Sequence, residues 1–284
     1  MGLFSDVLLS ADFDRTLTAP DSTIPERNLE AIRYFMAEGG AFTVNTGRSL
    51  AMSRDFLKRV PLNAPLLVYN GGAAYDVQKE AFVFRHEISL PQGETLRKIA
   101  RLCPGRLVEL QSVSAHYVFE PNPVWEDYCR MGGVRGEVAR MDDELGPFLK
   151  LCVIEGLRDS TVDGLFHAGP EEIARMDQAE AALRAGLGDA VTILRVAPRT
   201  LDIVAPGVSK GKAARELQAM LGRKLLVCVG DERNDLPMLE MADYSFCPAD
   251  GAVADQFPNV CPCAEGAVAD VITKKIPEIL KRNS

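Results

Sequence analysis

Asp12 and Asp14 stand two residues apart, directly after the apolar run Val7-Leu8-Leu9-Ser10-Ala11. In extended backbone, residues two apart point to the same side, so both carboxylates can converge on one small site. Like charges that close stay ionised together only with a cation between them; otherwise one takes up a proton. Both outcomes are useful. Mg²⁺ can neutralise one carboxylate while the other carries a proton to a leaving group, which separates nucleophile from general acid. Three further islands supply complementary parts. Thr46-Gly47-Arg48 offers a strand-end hydroxyl and a glycine turn running into a helix, with backbone N–H groups for a phosphate. Lys210 falls in the first turn of a helix predicted to be capped by Ser209, with Lys212 in the same turn. The helix dipole disfavours cations there, an arrangement that makes sense if an anion docks. Gly230-Asp231-Glu232-Arg233-Asn234-Asp235 follows the apolar run Leu225 to Val229 and precedes a helix, so Asp231 can complete an oxygen-rich Mg²⁺ site that Asp12 begins. Taken singly, each island has an ordinary reading: solvated loop carboxylates, a capping hydroxyl, a solvated lysine, an acidic turn with Asn234 or Asp235 as cap. Their conjunction outweighs those readings, because each lies at a strand end or helix start of one sheet. The chemistry is Mg²⁺-assisted attack of an aspartate on a phosphate.

The elements that must position these residues are legible in the hydrophobic rhythm. Val7 to Ala11 suits a buried strand. A helix follows from Pro25, with Leu29, Ile32, Phe35 and Met36 at helical spacing, closed by Gly39-Gly40. Strand Ala41 to Asn45, helix Ser49 to Val60 and strand Leu66 to Tyr69 complete a β-α-β-α-β series, which implies a parallel sheet with right-handed crossovers. From Ala81 to about Val204 the rhythm changes to clustered strands with helical patches at Pro91 to Leu102 and Glu171 to Leu187. That pattern predicts a separate α+β unit with a largely antiparallel sheet. Alternation returns with helix Ser209 to Leu221, strand Leu225 to Val229, helix Asp235 to Met241 and a helical stretch from Ala267. The fold class is therefore α/β: a Rossmann-like parallel-sheet core, residues 1–79 and 205–284, interrupted by an α+β cap at 80–204.

Composition narrows the partners. The chain has 284 residues, 47% of them hydrophobic, enough for a sizeable core and two domains. A net charge of −8 argues against nucleic-acid and anionic-membrane partners. No apolar run suggests a membrane span, the N-terminus lacks the parts of a signal peptide, and Asp6 breaks a myristoylation motif, so a cytoplasmic location is expected. Seven cysteines at irregular spacing read as ordinary thiols of a reducing compartment. Cys261-Pro262-Cys263 is the one close pair, and with no histidine in that half of the chain it reads as apolar filling.

With these residues assembled, the chain resembles the haloacid dehalogenase (HAD) superfamily of phosphotransferases, and within it the Cof-type phosphatases with a type IIB cap. The first family motif, DxDx(T/V), is matched by Asp12, Asp14 and Thr16; the second by Thr46; the third by Lys210; the fourth, GDxxND, by Gly230, Asp231, Asn234 and Asp235. The resemblance implies roles. Asp12 would attack phosphorus, and Asp14 would protonate the leaving oxygen and later deprotonate water. Thr46, Gly47 and Lys210 would bind the phosphoryl group. Asp12, the Asp14 backbone carbonyl and Asp231 would hold Mg²⁺, with Asn234, Asp235 and Arg48 in support. Arg15 departs from the pattern, standing where glycine is common. In similar proteins the cap excludes water and selects the leaving group; the resemblance implies a small phosphate ester such as a phosphorylated sugar, phosphoglycolate or pyridoxal phosphate, and of these a sugar phosphate is the expectation. Cap residues His86, His116 and His167 read as surface or packing groups, Trp125 as core or cap surface, and Arg135, Lys150 and Arg195 as solvated. Two other readings use related parts: a sugar phosphomutase of phosphomannomutase type, and a non-catalytic phospho-aspartate receiver. A receiver has no use for a cap, and Asp14 speaks against a purely binding role.

Overall fold

In a computed structural model, residues 2–157 and 167–282 are described. Strand β1 (Val7–Ala11) is buried along its whole length, so it reads as a continuous apolar run and needs cover on both faces. Helix α1 (Glu26–Ala37) begins just after Pro25 and buries Leu29, Ile32 and Phe35. Strand β2 (Ala41–Val44) follows, then helix α2 (Leu50–Leu57), shorter than its predicted span, and strands β3 (Leu66–Val68), β4 (Ala73–Asp76) and β5 (Ala81–Arg85). The last three form their own sheet in the order β3-β4-β5. Phe82-Val83-Phe84, assigned above to the cap, is thus a strand of that sheet.

The chain divides into two compact units. The first holds the described residues up to Gly47, then Phe56–Phe84, then those from Ser209 onward; the second holds Arg48–Asp55 and the described residues of Arg85–Val208. These bounds differ from the expected 79/80 and 204/205. The unforeseen part is the short segment after Gly47, which joins the second unit because Met52 packs with Val118, Trp125, Cys129 and Val134.

The second unit contains α3 (Gln92–Leu102), β6 (Leu107–Ser112), β7 (His116–Val118), α4 (Pro123–Met131), β8 (Gly136–Val138), β9 (Phe148–Ile154), α5 (Pro170–Leu187), β10 (Thr192–Ala197) and β11 (Thr200–Val204). Its six-stranded sheet runs β10-β11-β9-β6-β7-β8 and is antiparallel except between β7 and β8. Alternate residues Val108, Leu110, Leu151, Val153, Leu201 and Ile203 pack in one cluster with Leu96 and Ile99 of α3 and Met176 and Leu183 of α5. The intervening positions are also buried, Cys152 together with the polar Glu109, Gln111, Lys150 and Asp202. Lys150 is therefore not solvated; its ammonium meets Asp202 Oδ2 at 2.9 Å. Nor is Arg195, which donates to Glu180, Asp177 and the Pro198 carbonyl. His86 and His167 are exposed, Arg135 is exposed beside Glu137, and Trp125 is core. His116 is fully buried, its Nδ1 2.8 Å from Glu109 Oε1.

Burial pushes the Glu109 carboxyl up, but the charge of His116 and hydrogen bonds from His116, Gln111 and Trp125 hold it down to about 2 from an ordinary 4.5. A depressed carboxyl adds stability that is fully present above its unfolded value and disappears as pH falls through its folded one. Glu109→Gln should therefore trail the wild type by about 3 kcal/mol above pH ~5, with the gap closing towards pH ~2, read from urea unfolding at each pH. A gap independent of pH would refute the assignment.

The chain re-enters the first unit with α6 (Lys210–Met220), β12 (Leu225–Val229), α7 (Leu236–Met241), β13 (Tyr244–Pro248), β14 (Asn259–Val260), α8 (Ala267–Asp270) and α9 (Ile276–Arg282). The main sheet is wholly parallel, in the order β14-β13-β12-β1-β2, and an isolated bridge from Asn45 to Leu67 carries it toward β3. Ala11 pairs with Val229 on one side and Val44 on the other. The carboxyl ends of β12, β1 and β2 are thus level, which sets Asp12, Asn45 and Gly230 side by side. The chain leaves β1 towards β2 while β12 returns on the opposite flank, the arrangement that opens a crevice beyond the strand ends.

Candidate active site

Asp12 is tied in at the end of β1 by its N–H to the Val229 carbonyl, 2.9 Å, and Asn45 donates to the Ala11 carbonyl at 2.8 Å. Between these strand ends enters Lys210, the first residue of α6. Ser209 caps that helix, accepting the Lys212 N–H at 3.2 Å. Asn45 Nδ2 fixes the helix start by donating to the Lys210 carbonyl at 2.9 Å. The Lys210 side chain is 1% exposed, and its ammonium donates to Asp12 Oδ1 and Asp235 Oδ1, each at 2.6 Å. The solvated-lysine reading is excluded.

The loop after β12 is folded around Asp235. Its second oxygen accepts the N–H groups of Asp231 and Glu232, both at 3.0 Å. The turn needs glycine at 230, where a Cβ would lie 2.6 Å from the Asp235 side chain. With both oxygens engaged, Asp235 holds the lysine and the loop. Asp231, so placed, accepts the Thr16 hydroxyl at 2.7 Å. Thr16 belongs to the turn of residues 13–17, in which Arg15 has φ 59° and ψ 9°. This left-handed conformation accounts for glycine being usual at that position, and an L side chain there costs about 1–2 kcal/mol. The Arg15 N–H donates to Thr18 Oγ1 at 3.1 Å.

Carboxylate oxygens of Asp12, Asp231 and Asp235 lie within 4.8 Å of one another, and all three residues are buried. Asp14, whose backbone carbonyl was expected in the metal set, is half-buried, and its charge adds to the load on Asp12. Burial, then Asp235, push the Asp12 carboxyl up to about 7, against the pull of Lys210. Asp231 is raised well above the usual range by burial, Asp12 and Asp235. Burial would lower Lys210, but its two carboxylates more than offset that and keep it charged. One ammonium among three carboxylates leaves excess negative charge in a buried space lined by hard oxygen donors, and such a donor set fits Mg²⁺.

Thr46 is buried just past β2, its N–H bonded to the Leu67 carbonyl at 2.9 Å. Gly47 and Arg48 are half-buried, with Arg48 grouped in the second unit. Asn234 donates to Asn70 Oδ1 at 3.1 Å. Asn70 is a residue the sequence reading passed over. Left-handed at φ 56°, it donates its N–H to the Thr46 carbonyl and leaves a Cβ on Gly47 only 2.9 Å from its Oδ1. The Asn70-Gly71-Gly72 run after a buried strand was its signal. Asn45 was missed because a strand-end amide carries no motif. All seven cysteines are free thiols; Cys263 donates to Asp250, and neither it nor Cys261 belongs to a metal-capable group among the described residues. Among those residues no helix is long and apolar enough to cross a membrane.

The profile of the haloacid dehalogenase-like hydrolases matches residues 9–254. A 5-amino-6-(5-phospho-D-ribitylamino)uracil phosphatase of Bacillus subtilis is 24% identical over 86% of this chain and 87% of its own length. Among solved structures, a haloacid dehalogenase-like hydrolase from B. subtilis superposes with a TM-score of 0.75 at 17% identity, covering 94% of this chain and 99% of that one. A HAD subclass IIB sugar phosphatase gives a TM-score of 0.73 at 19% identity over 93% of this chain and 97% of that one. With the family profile spanning both the parallel core and the inserted α+β domain, the chain belongs to the haloacid dehalogenase-like hydrolases, as a phosphatase of the Cof type.

Proposed function

We propose that the protein is a Mg²⁺-dependent phosphomonoester phosphatase that works through an aspartyl-phosphate on Asp12. The observation that carries this reading is the Lys210 ammonium, buried and held 2.6 Å from both Asp12 and Asp235. It fixes the Asp12 carboxylate and presents a cation where phosphoryl charge gathers. An Asp12 oxygen forms a bond to phosphorus as the bond to the ester oxygen breaks, and Asp14 gives that oxygen its proton. Asp14 then takes a proton from water, whose oxygen bonds to phosphorus as the Asp12 ester bond breaks, releasing inorganic phosphate. The Thr46 hydroxyl, the Gly47 N–H and Lys210 hold the phosphoryl oxygens, while Asn234, Asp235 and Arg48 support them. Asp12, the Asp14 carbonyl and Asp231 would hold Mg²⁺, which when bound offsets the clustered negative charge and polarises the phosphoryl group.

Selection of the leaving group is assigned to the inserted domain, and the substrate class to sugar or sugar-alcohol phosphates. The relative named for a phosphoribityl compound and the sugar phosphatase of like fold both favour that class. A cytoplasmic site of action fits seven free thiols. The test is phosphate release from a panel of sugar, sugar-alcohol, nucleotide and cofactor phosphates. Turnover should disappear in EDTA and return with Mg²⁺, with sugar or sugar-alcohol phosphates the best substrates. Activity indifferent to chelation would sink the metal assignment, and phosphate moved between sugar positions without release would indicate a mutase.

A further inference from the structure

Ser49, three residues after Thr46, is fully buried and bonded on every side. Its Oγ accepts the Met52 N–H at 3.1 Å, and its carbonyl accepts the Ser53 N–H and hydroxyl at 3.1 and 2.8 Å, so it shapes the start of α2. The same Oγ lies 2.9 Å from His116 Nε2. The imidazole continues through Nδ1 to Glu109 Oε1, which also accepts Trp125 Nε1 at 3.0 Å, and Glu109 Oε2 accepts Gln111 Nε2 at 2.8 Å. An ionised Glu109 has no hydrogen to give, so Nδ1 carries one and the ring is fixed in orientation.

A serine, histidine and carboxylate in this order also describe a hydrolytic triad, but these three are sealed from substrate and the serine oxygen is committed to the helix start. Cys129 lies within metal-ligand reach of Glu109 and His116. A cation there would have to displace the bonds that engage both ring nitrogens and both Glu109 oxygens, and burial keeps the Cys129 thiol raised. The chain of bonds is instead complete as it stands. A buried polar chain is costly where apolar packing could serve, and what it supplies is one definite geometry. Besides its own strands, this one grips Arg48–Asp55, the segment that leads straight out of Thr46-Gly47.

We infer that Ser49, His116 and Glu109 form an anchor within the second unit that positions Arg48 and the start of α2. These are positioning residues, and their kinetic effect rests on the phosphatase reading. Hydrogen exchange tests the anchor independently of turnover. In Ser49→Ala and His116→Leu, amides of residues 48–53 should exchange about tenfold faster while those of β9 and β11 keep wild-type protection. Ser49→Thr, which keeps the hydroxyl, should match the wild type. With p-nitrophenyl phosphate the first two variants should lose about tenfold or more in kcat, with KM changing less, and Ser49→Thr should retain kcat. Unchanged exchange over 48–53 in Ser49→Ala and His116→Leu would overturn the anchor, as would faster exchange with wild-type kcat. A wild type with no turnover would sink the phosphatase reading, leaving exchange to decide the anchor.

Discussion

Asp12→Asn should release phosphate at least about a thousandfold more slowly than the wild type, while melting at the same temperature or higher. The amide oxygen is a poor nucleophile, so the proposed covalent step on Asp12 would be lost. Stability moves the other way because Asp12 shares its buried space with Asp231 and Asp235, and its raised carboxyl shows that the fold disfavours its charge. Lys210 keeps Asp235 as partner when Asp12 is neutral. Phosphate release and a melting curve on the same preparation check both halves. Retained turnover would remove Asp12 as nucleophile, whereas a large loss of stability would mean that its bond to Lys210 outweighs the carboxylate repulsion.

Lys210→Met should damage both properties. Asp12 and Asp235 would be left buried without their cation, a loss of about 3–5 kcal/mol and, for a chain of this size, roughly 10 °C in melting temperature. Phosphate release should fall about a hundredfold or more, since the phosphoryl group loses its fixed positive charge. The double variant Lys210→Met with Asp235→Asn separates the two effects. Removing the stranded carboxylate should recover much of the stability and none of the turnover. A single variant with wild-type turnover would show that the lysine only balances charge.

The parts of this site that could be read from sequence are those specified by neighbours in the chain. A buried strand running into Asp12, a serine cap before Lys210 and a glycine turn before Asp231 are local features, and helix and strand periodicity decides them within a few residues. Elements too short for periodicity were passed over. Strand β8 and the two-residue β14 escaped for that reason, whereas helix α4, longer than the predicted α7, was missed although Asn122 caps it by accepting the Trp125 N–H at 3.0 Å. Side-chain environments were the other gap. Lys150 lies between Leu149 and Leu151 and Lys210 between Ser209 and Gly211, and both read as solvated when taken alone. Each is buried because its carboxylate arrives from far along the chain: Asp202 is 52 residues from Lys150, and Asp12 is 198 from Lys210.

Sequence by itself therefore determined the family and the parallel core with its inserted domain, and it nominated the chemical groups, because motif spacing and hydrophobic period are properties of adjacent residues. Tertiary structure decided which of those groups meet. It placed Asp235 rather than solvent against Lys210, brought Asn70 under Gly47, bound Ser49 to His116 and moved the segment after Gly47 into the second unit. Those outcomes depend on desolvation and hydrogen bonding between residues distant in the chain. No local pattern encodes them, since a buried polar group is stable only where its partner is delivered by another element.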